Sequence, residues 1–179
     1  EAQLSTDPSA LGPFIKQDRI VNPLREPLFN GRDPALAVVD FDNDGDVDVV
    51  MGEYDEYDGG FLRYFENQTS QGQPVYLELK GEENPFDGLH ALTRGVAPAL
   101  VDVDKDGDQD LFMAENGSPL TYLPGPNSRA IIYYRNDGGN FSKQSGPWDP
   151  VTKQGNPFDG VALDYYIRPV VVDFDKDGD

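Results

Sequence analysis

Short apolar runs, separated by polar and turn-rich segments, cover most of the chain after residue 30. Their length and partial alternation of apolar and polar positions are typical of β-strands, and no stretch keeps the period of an amphipathic helix. The first series of predicted strands comprises residues 35–39, 49–53, 61–66 and 74–79. The second series comprises residues 96–101, 111–115 and 130–135. The pattern predicts an all-β protein, and four short strands with turns between them are the unit of a propeller blade or of a meander.

An acidic nonapeptide follows the first predicted strand of each series. It occupies residues 40–48 and 102–110, and an apolar run follows it in both places. A third copy of seven residues, 173–179, follows the apolar residues 170–172. The copies begin 62 and then 71 residues apart. The chain therefore contains about two and a half predicted repeats.

The composition of the nonapeptide predicts a calcium site. Each full copy holds five mutually repelling carboxylates in nine residues, without His or Cys. Ligand sets made only of oxygen select a hard ion such as Ca²⁺. Aspartates at positions one, three and five can turn inward on one ion, the seventh carbonyl can join them, and the ninth aspartate can close the shell. Glycine at position six is expected where the loop bends sharply and a Cβ would obstruct it.

Every predicted metal ligand is an aspartate, and at position seven the ligand is the backbone carbonyl. The first loop contributes Asp40, Asp42, Asp44, Asp46 and Asp48. The second loop contributes Asp102, Asp104, Asp106, Asp108 and Asp110. The third, incomplete loop contributes Asp173, Asp175, Asp177 and Asp179. An EF-hand is excluded, because position twelve is Met51 or Met113 instead of Glu and lies in an apolar strand-like run.

The excess of acidic over basic residues limits the kinds of partner that the chain can bind. The chain carries 33 acidic and 14 basic residues, a net charge of −19, and one Ca²⁺ in each of three loops would bring it to −13. Nucleic acid and anionic membranes are disfavoured, because both bind through Lys and Arg. The chain has no cysteine, and no apolar run is long enough to span a membrane. We expect an extracellular or cell-surface location, because weak calcium sites fill at millimolar Ca²⁺.

The repeats divide the chain into four predicted segments. These are a proline-rich arm or cap (residues 1–30), repeat one (31–83), repeat two (84–155) and the start of repeat three (156–179). The second and third repeats open on the same pentapeptide, Asn-Pro-Phe-Asp-Gly, at Asn84 and Asn156. Residues 118–127 are a predicted insertion, and residues 137–155 show no clear strand pattern.

The loops and their flanking strands resemble the FG-GAP and VCBS repeats of integrin-α-like β-propellers. The shared pattern is a strand, Asp-x-Asp-x-Asp-Gly-x-x-Asp, a second strand, a Gly-rich turn and an aromatic strand ending in Asn. Here it runs from Asp40 to Asp48, through Gly59 and Gly60, to residues 63–67. The resemblance covers residues 30–179. It implies four-stranded blades with Ca²⁺ in the loop between strands one and two, held by the first, third, fifth and ninth aspartates.

The third repeat departs from the family pattern, because its loop stops before the ninth residue. Propellers close with several blades, so two and a half repeats predict either a segment of a longer chain or subunits that complete one another. In the second case residues 1–30 are the candidate exchanged arm, and the product is a ring or an open filament. We favour the segment, because a chain ending inside a metal loop would hold that site poorly.

The remaining motifs favour a non-enzymatic protein. His90 is the single histidine and belongs to no nucleophile motif, so no catalytic residue is predicted. Three sequons, at Asn67, Asn116 and Asn140, are candidate glycosylation sites. The predicted function is cell adhesion or surface assembly, through protein, carbohydrate or self-association. Two alternatives stay open: a polysaccharide-active enzyme or carbohydrate-binding module, since carboxylates and aromatics abound, and a subunit of an extracellular filament.

Overall fold

The computed structural model describes residues 32–55, 59–69, 75–91, 95–116, 129–161, 163 and 167–172. Three predicted features lie outside these residues: the arm at 1–30, the insertion at 118–127 and the third acidic loop at 173–179. Within the described residues, no helix is long and apolar enough to cross a membrane.

The described residues form two four-stranded antiparallel sheets, which confirms the predicted all-β class. The first sheet comprises β1 (Arg32–Val39), β2 (Asp48–Asp55), β3 (Gly59–Asn67) and β4 (Tyr76–Leu79). The second comprises β5 (Val96–Val101), β6 (Asp110–Asn116), β7 (Arg129–Asp137) and β8 (Asn140–Gln144). Each strand pairs with its neighbour in sequence, so both sheets are simple meanders. One 3₁₀ turn, Gly81–Glu83, follows β4.

Strand β8 was not predicted, because Phe141 is its one apolar residue and the strand lies at the edge of the sheet. A hairpin signal was nevertheless present in the sequence. Gly138 and Gly139 have φ values of 60° and 88°, and they form the tight turn between β7 and β8. Glycine is favoured there because both positions need positive φ.

The two sheets stack with equivalent faces pointing in the same direction. Val50, Leu62 and Tyr64 of the first sheet pack in one cluster with Leu111 and Met113 of the second. The residues equivalent to Val50, Leu62 and Tyr64 in the second sheet lie on its opposite face and pack around Trp148 and Phe158. Those equivalents are Phe112, Ile131 and Tyr133. The second sheet therefore stacks on the first in the same orientation, so that opposite faces of the two sheets meet.

Each Asn-Pro-Phe-Asp-Gly turn fastens onto the sheet that precedes it. The Asn84 side-chain amide donates to the Leu62 carbonyl at 3.0 Å, and that of Asn156 donates to the Ile131 carbonyl at 2.8 Å. The phenylalanine of the first turn, Phe86, is buried between the two sheets. The pentapeptide therefore packs against one face of the sheet that precedes it.

The innermost strands of the two sheets come very close together. Strand β5 lies against β1 and β2 of the first sheet. A Cβ added to Gly52 would lie 2.1 Å from the Val96 carbonyl oxygen. Small side chains, among them Ala35, Ala97 and Ala99, lie buried on the same strands. The sheets approach because these positions have little or no side chain.

The apolar residues 170–172 precede the third loop as a strand precedes each of the other two loops, but they do not form a strand. Residues 167–172 are described, and none of them belongs to a β-strand. Val170 is 84 % exposed and Val172 is 69 % exposed. A strand requires hydrogen bonds to a partner, and in both sheets that partner is the strand following the acidic loop. No described residue takes this role for residues 167–172.

Candidate metal centre

Each acidic loop joins the first two strands of its sheet and gathers three carboxylates. One oxygen from each of Asp40, Asp42 and Asp44 lies within 4.8 Å of the others. Asp102, Asp104 and Asp106 form the same arrangement in the second loop. Positions one, three and five therefore converge, as the spacing predicts. Such a set of oxygen ligands fits a hard divalent cation such as Ca²⁺.

Backbone hydrogen bonds curl each loop around these carboxylates. In the first loop Gly45 N donates to Asp40 Oδ2 at 3.1 Å, and Asp44 N donates to Asp42 Oδ1 at 3.2 Å. In the second loop Gly107 N donates to Asp102 Oδ2 at 3.0 Å. The loop backbone thus fixes the carboxylates while leaving some of their oxygens free.

Within the two aspartate clusters, two oxygens are buried without a hydrogen-bond donor among the described residues: Asp40 Oδ1 and Asp104 Oδ1. Burial raises the pKa of Asp42 and of Asp104, and neighbouring carboxylates, Asp44 and Asp106 among them, raise it further. An unpaired buried oxygen is costly, and a bound cation would satisfy it and offset the repulsion. The residues present therefore fit a metal ion.

The sixth-position glycines are required by backbone conformation. Gly45 and Gly107 have φ values of 96° and 102°, a region that other residues adopt at a cost. The expectation that a Cβ would be obstructed is wrong, because no atom lies within 4 Å of a Cβ built at either glycine.

Positive φ and steric obstruction are the two explanations for Gly45. They predict opposite orders of stability for the variants Gly45→Ala and Gly45→Asn. We expect Gly45→Ala to lower the free energy of unfolding by about 1 kcal/mol, and Gly45→Asn to lower it by less, because Asn tolerates positive φ better than Ala. Urea denaturation of both variants in EGTA measures this. Obstruction would make the larger Asn the more damaging residue, so that order would contradict a conformational cause.

The ninth aspartates, Asp48 and Asp110, are fully buried and belong to neither cluster of three. Asp110 Oδ2 accepts from Val103 N at 3.0 Å and from the Tyr133 hydroxyl at 2.9 Å, while its Oδ1 accepts from Asn136 N at 2.8 Å. Burial raises the pKa of Asp110 to about 6, against the lowering effect of these three donors.

In the first sheet, Asp48 accepts hydrogen bonds from the three residues equivalent to the partners of Asp110. It accepts from Phe41 N at 3.1 Å, the Tyr64 hydroxyl at 2.8 Å and Asn67 N at 2.8 Å. Each ninth aspartate thus ties its loop to the end of the third strand. These hydrogen bonds show a structural role that the ligand prediction did not include, and the role of the ninth aspartates as ligands stays a prediction.

Sequence reasoning missed the tyrosines and asparagines that hold these carboxylates. The Asn67 side-chain amide donates to the Val47 carbonyl, and that of Asn136 donates to the Gln109 carbonyl, both at 3.1 Å. The signal was present, because both third strands carry Tyr, an aromatic residue, a charged residue and Asn in that order. The tyrosine and the asparagine of this pattern form part of each site.

The seventh residues, Asp46 and Asp108, do not join the carboxylate clusters through their side chains. Asp46 N donates to Asp44 Oδ1 at 2.8 Å, and Asp108 N donates to Asp106 Oδ1 at 3.0 Å. The Asp108 carboxylate accepts from Gly138 N at 2.7 Å, at the β7–β8 turn. Their predicted role through the carbonyl stays a prediction.

The three sequons occupy different environments. Asn67 is 4 % exposed, and its side chain is hydrogen-bonded inside the protein. Asn140 is exposed at the start of β8, and Asn116 is the last residue of β6. Of Asn67 and Asn140, the folded protein presents Asn140 to solvent, and glycosylation stays a prediction.

Comparisons of the chain with protein-family models, curated proteins and solved structures found no match. The resemblance to FG-GAP and VCBS repeats stays a prediction. The function of the chain is therefore inferred from its own residues and their geometry.

Proposed function

We propose that this chain is an extracellular calcium-binding β-repeat protein in which the metal has a structural role in adhesion or surface assembly. The observation that carries the proposal is the convergence of three aspartates at the same place in two equivalent sheets. The recurrence of one arrangement in both repeats favours a ligand over an accident of acidic sequence. The resemblance to FG-GAP and VCBS repeats supports the same interpretation, a calcium-binding β-repeat protein.

The position of the loops supports a structural role for the ion. Each loop joins the first two strands, and its ninth aspartate reaches the third strand through Tyr64 or Tyr133. Asp40, Asp42 and Asp44 would hold an ion in the first loop, and Asp102, Asp104 and Asp106 in the second. Bound Ca²⁺ would supply positive charge to carboxylates that otherwise repel one another. Metal binding would therefore stabilise the hairpin around each loop and contribute to folding.

The stacking of the sheets supports a propeller-like arrangement within this proposal. Val49, Met51 and Phe65 form a buried cluster on the face of the first sheet opposite the second sheet. Their equivalents in the second sheet are Leu111, Met113 and Tyr134, which pack against the first sheet. In the second repeat this face receives the preceding sheet, which is the arrangement expected of successive blades.

We expect Ca²⁺ to raise the midpoint of thermal unfolding relative to EGTA. At about ten times the dissociation constant, each occupied site adds about 1.4 kcal/mol to the free energy of unfolding. Asp44→Ala and Asp106→Ala should each lose most of this gain at one site while changing little in EGTA. Differential scanning calorimetry of the chain in both buffers measures the effect.

The matched control is Asp87→Ala, which removes an exposed aspartate outside the loops and should keep the full response to Ca²⁺. An equal midpoint in Ca²⁺ and EGTA for the unsubstituted chain would overturn the proposed function. Loss of stability in EGTA by Asp44→Ala would show a role independent of metal.

A further inference from the structure

We propose that the two loops bind calcium with unequal affinity, the first more tightly, because opposite charges occupy one position beside them. This inference rests on the proposed function. The position is the residue before the asparagine that ends the third strand. It is Glu66 in β3 and Arg135 in β7.

The two residues occupy equivalent places in their sheets. Asn67 and Asn136 follow them, and the backbone N–H of each asparagine donates to the ninth aspartate at 2.8 Å. Glu66 and Arg135 are therefore each one residue before the backbone N–H that binds the ninth aspartate. The difference between them is one of charge.

Arg135 interacts directly with the metal cluster of the second loop. Its Nε lies 3.6 Å from Asp104 Oδ2, and Asp104 is one of the three converging aspartates. The guanidinium also pairs with Asp137 on the other side. Arg135 therefore attracts a carboxylate that the ion needs and repels the ion itself.

Glu66 has the opposite effect in the first loop. It precedes Asn67, whose backbone N–H donates to Asp48 at 2.8 Å, so it stands at the position that Arg135 occupies beside the second loop. Gln68 donates to Glu66 Oε1 at 3.0 Å and adds no charge. Glu66 therefore strengthens the negative field that attracts a cation.

The local charge differs accordingly between the two sites. The first loop with Glu66 and Gln68 contains six acidic residues and no basic residue, a formal charge of −6. The second loop with Arg135 and Asp137 contains six acidic residues and two basic residues, Lys105 and Arg135, a formal charge of −4. For a divalent ion near the surface, a difference of two charges corresponds to about tenfold in dissociation constant.

Isothermal titration of the calcium-free chain with CaCl₂ tests the inference. We expect two classes of site separated by about tenfold. Asp44→Ala should remove the tight class, and Asp106→Ala should remove the weak class. Arg135→Gln should tighten the weak class severalfold, and Glu66→Gln should weaken the tight class by a similar factor. Glu82→Gln, which neutralises an exposed acid in the 3₁₀ turn, is the control and should change neither.

The outcomes separate the inference from the proposed function. An unsubstituted chain that does not bind calcium would overturn the proposed function itself. Binding with equal affinities, a tighter second loop, or an Arg135→Gln variant with unchanged affinities would overturn only the inequality. Circular dichroism of each variant confirms its fold before titration. If Arg135→Gln does not fold, Arg135→Lys keeps the charge without the planar fork and should tighten the weak class by less than twofold; a larger gain would contradict an effect of charge.

Discussion

Replacing Asp110 by Ala is expected to lower the free energy of unfolding by about 3–4 kcal/mol, with or without calcium. The carboxylate is fully buried and accepts hydrogen bonds from Val103 N, the Tyr133 hydroxyl and Asn136 N. Alanine would leave two buried donors and the partly buried Val103 N–H without an acceptor, and each unsatisfied buried group costs about 1–3 kcal/mol. Relief of the buried charge offsets part of this cost, because burial raises the pKa of Asp110 to about 6.

The expected cost separates a structural carboxylate from a metal ligand. Asp106→Ala should matter in calcium and hardly at all in EGTA, because Asp106 is exposed and lies in the cluster of three. Asp110→Ala should be costly in both buffers, because its partners belong to the protein. Urea denaturation in calcium and in EGTA measures both variants.

Two further variants keep this prediction testable if Asp110→Ala does not fold. Tyr133→Phe removes one donor and keeps the ring, and should cost about 1 kcal/mol in either buffer. Asp159→Ala removes an exposed aspartate and should cost less than about 0.5 kcal/mol. A Tyr133→Phe variant as stable as the unsubstituted chain would contradict the structural role of Asp110, and a cost of Asp110→Ala confined to calcium would show that Asp110 acts as a ligand.

The strands and the three-aspartate clusters followed from the sequence because both depend on local spacing. Strand β5 was predicted with its observed bounds, Val96–Val101. The first loop converges through alternate residues within a five-residue stretch, so spacing alone brings Asp40, Asp42 and Asp44 together. Contacts between residues so close in the chain can be predicted from a single sequence.

The role of the ninth aspartates did not follow from the sequence, because their partners are distant in the chain. Asp48 is 16 residues from Tyr64 and 19 from Asn67. Only the register of β2 and β3, which pairs Val49 with Phe65, brings these groups together. A motif names residue types within a loop, whereas a buried hydrogen bond depends on strand pairing.

The close approach of the two sheets also depends on long-range packing. In sequence, Gly52 is a glycine inside a predicted strand, which by itself indicates a bulge or a close approach. The structure identifies a close approach, because the Val96 carbonyl occupies the space of its missing side chain. Gly52 therefore determines how near the first sheet lies to the second.

Gly52→Ala is expected to lower the free energy of unfolding by about 3 kcal/mol, although Ala is the better strand residue by about 0.5–1 kcal/mol. An added Cβ would lie 2.1 Å from the Val96 carbonyl oxygen, 2.8 Å from its carbon and 3.2 Å from Pro98 Cδ. Two of these three atoms are backbone and cannot turn aside. The sheets must separate, and the buried cluster between them, which includes Val50 and Phe86, loosens with them.

Two matched variants identify the clash as the cause in urea denaturation. Gly88→Ala places a Cβ in open space at a φ of 82°, so it should show the conformational cost alone, about 1 kcal/mol. Ala114→Gly makes the reverse change at the equivalent position of the second sheet, which already holds a buried methyl group, and should also cost about 1 kcal/mol. A Gly52→Ala variant no less stable than Gly88→Ala would contradict the close approach of β2 and β5. A cost near 3 kcal/mol together with two separate unfolding transitions would show that this contact makes the two sheets unfold as one unit.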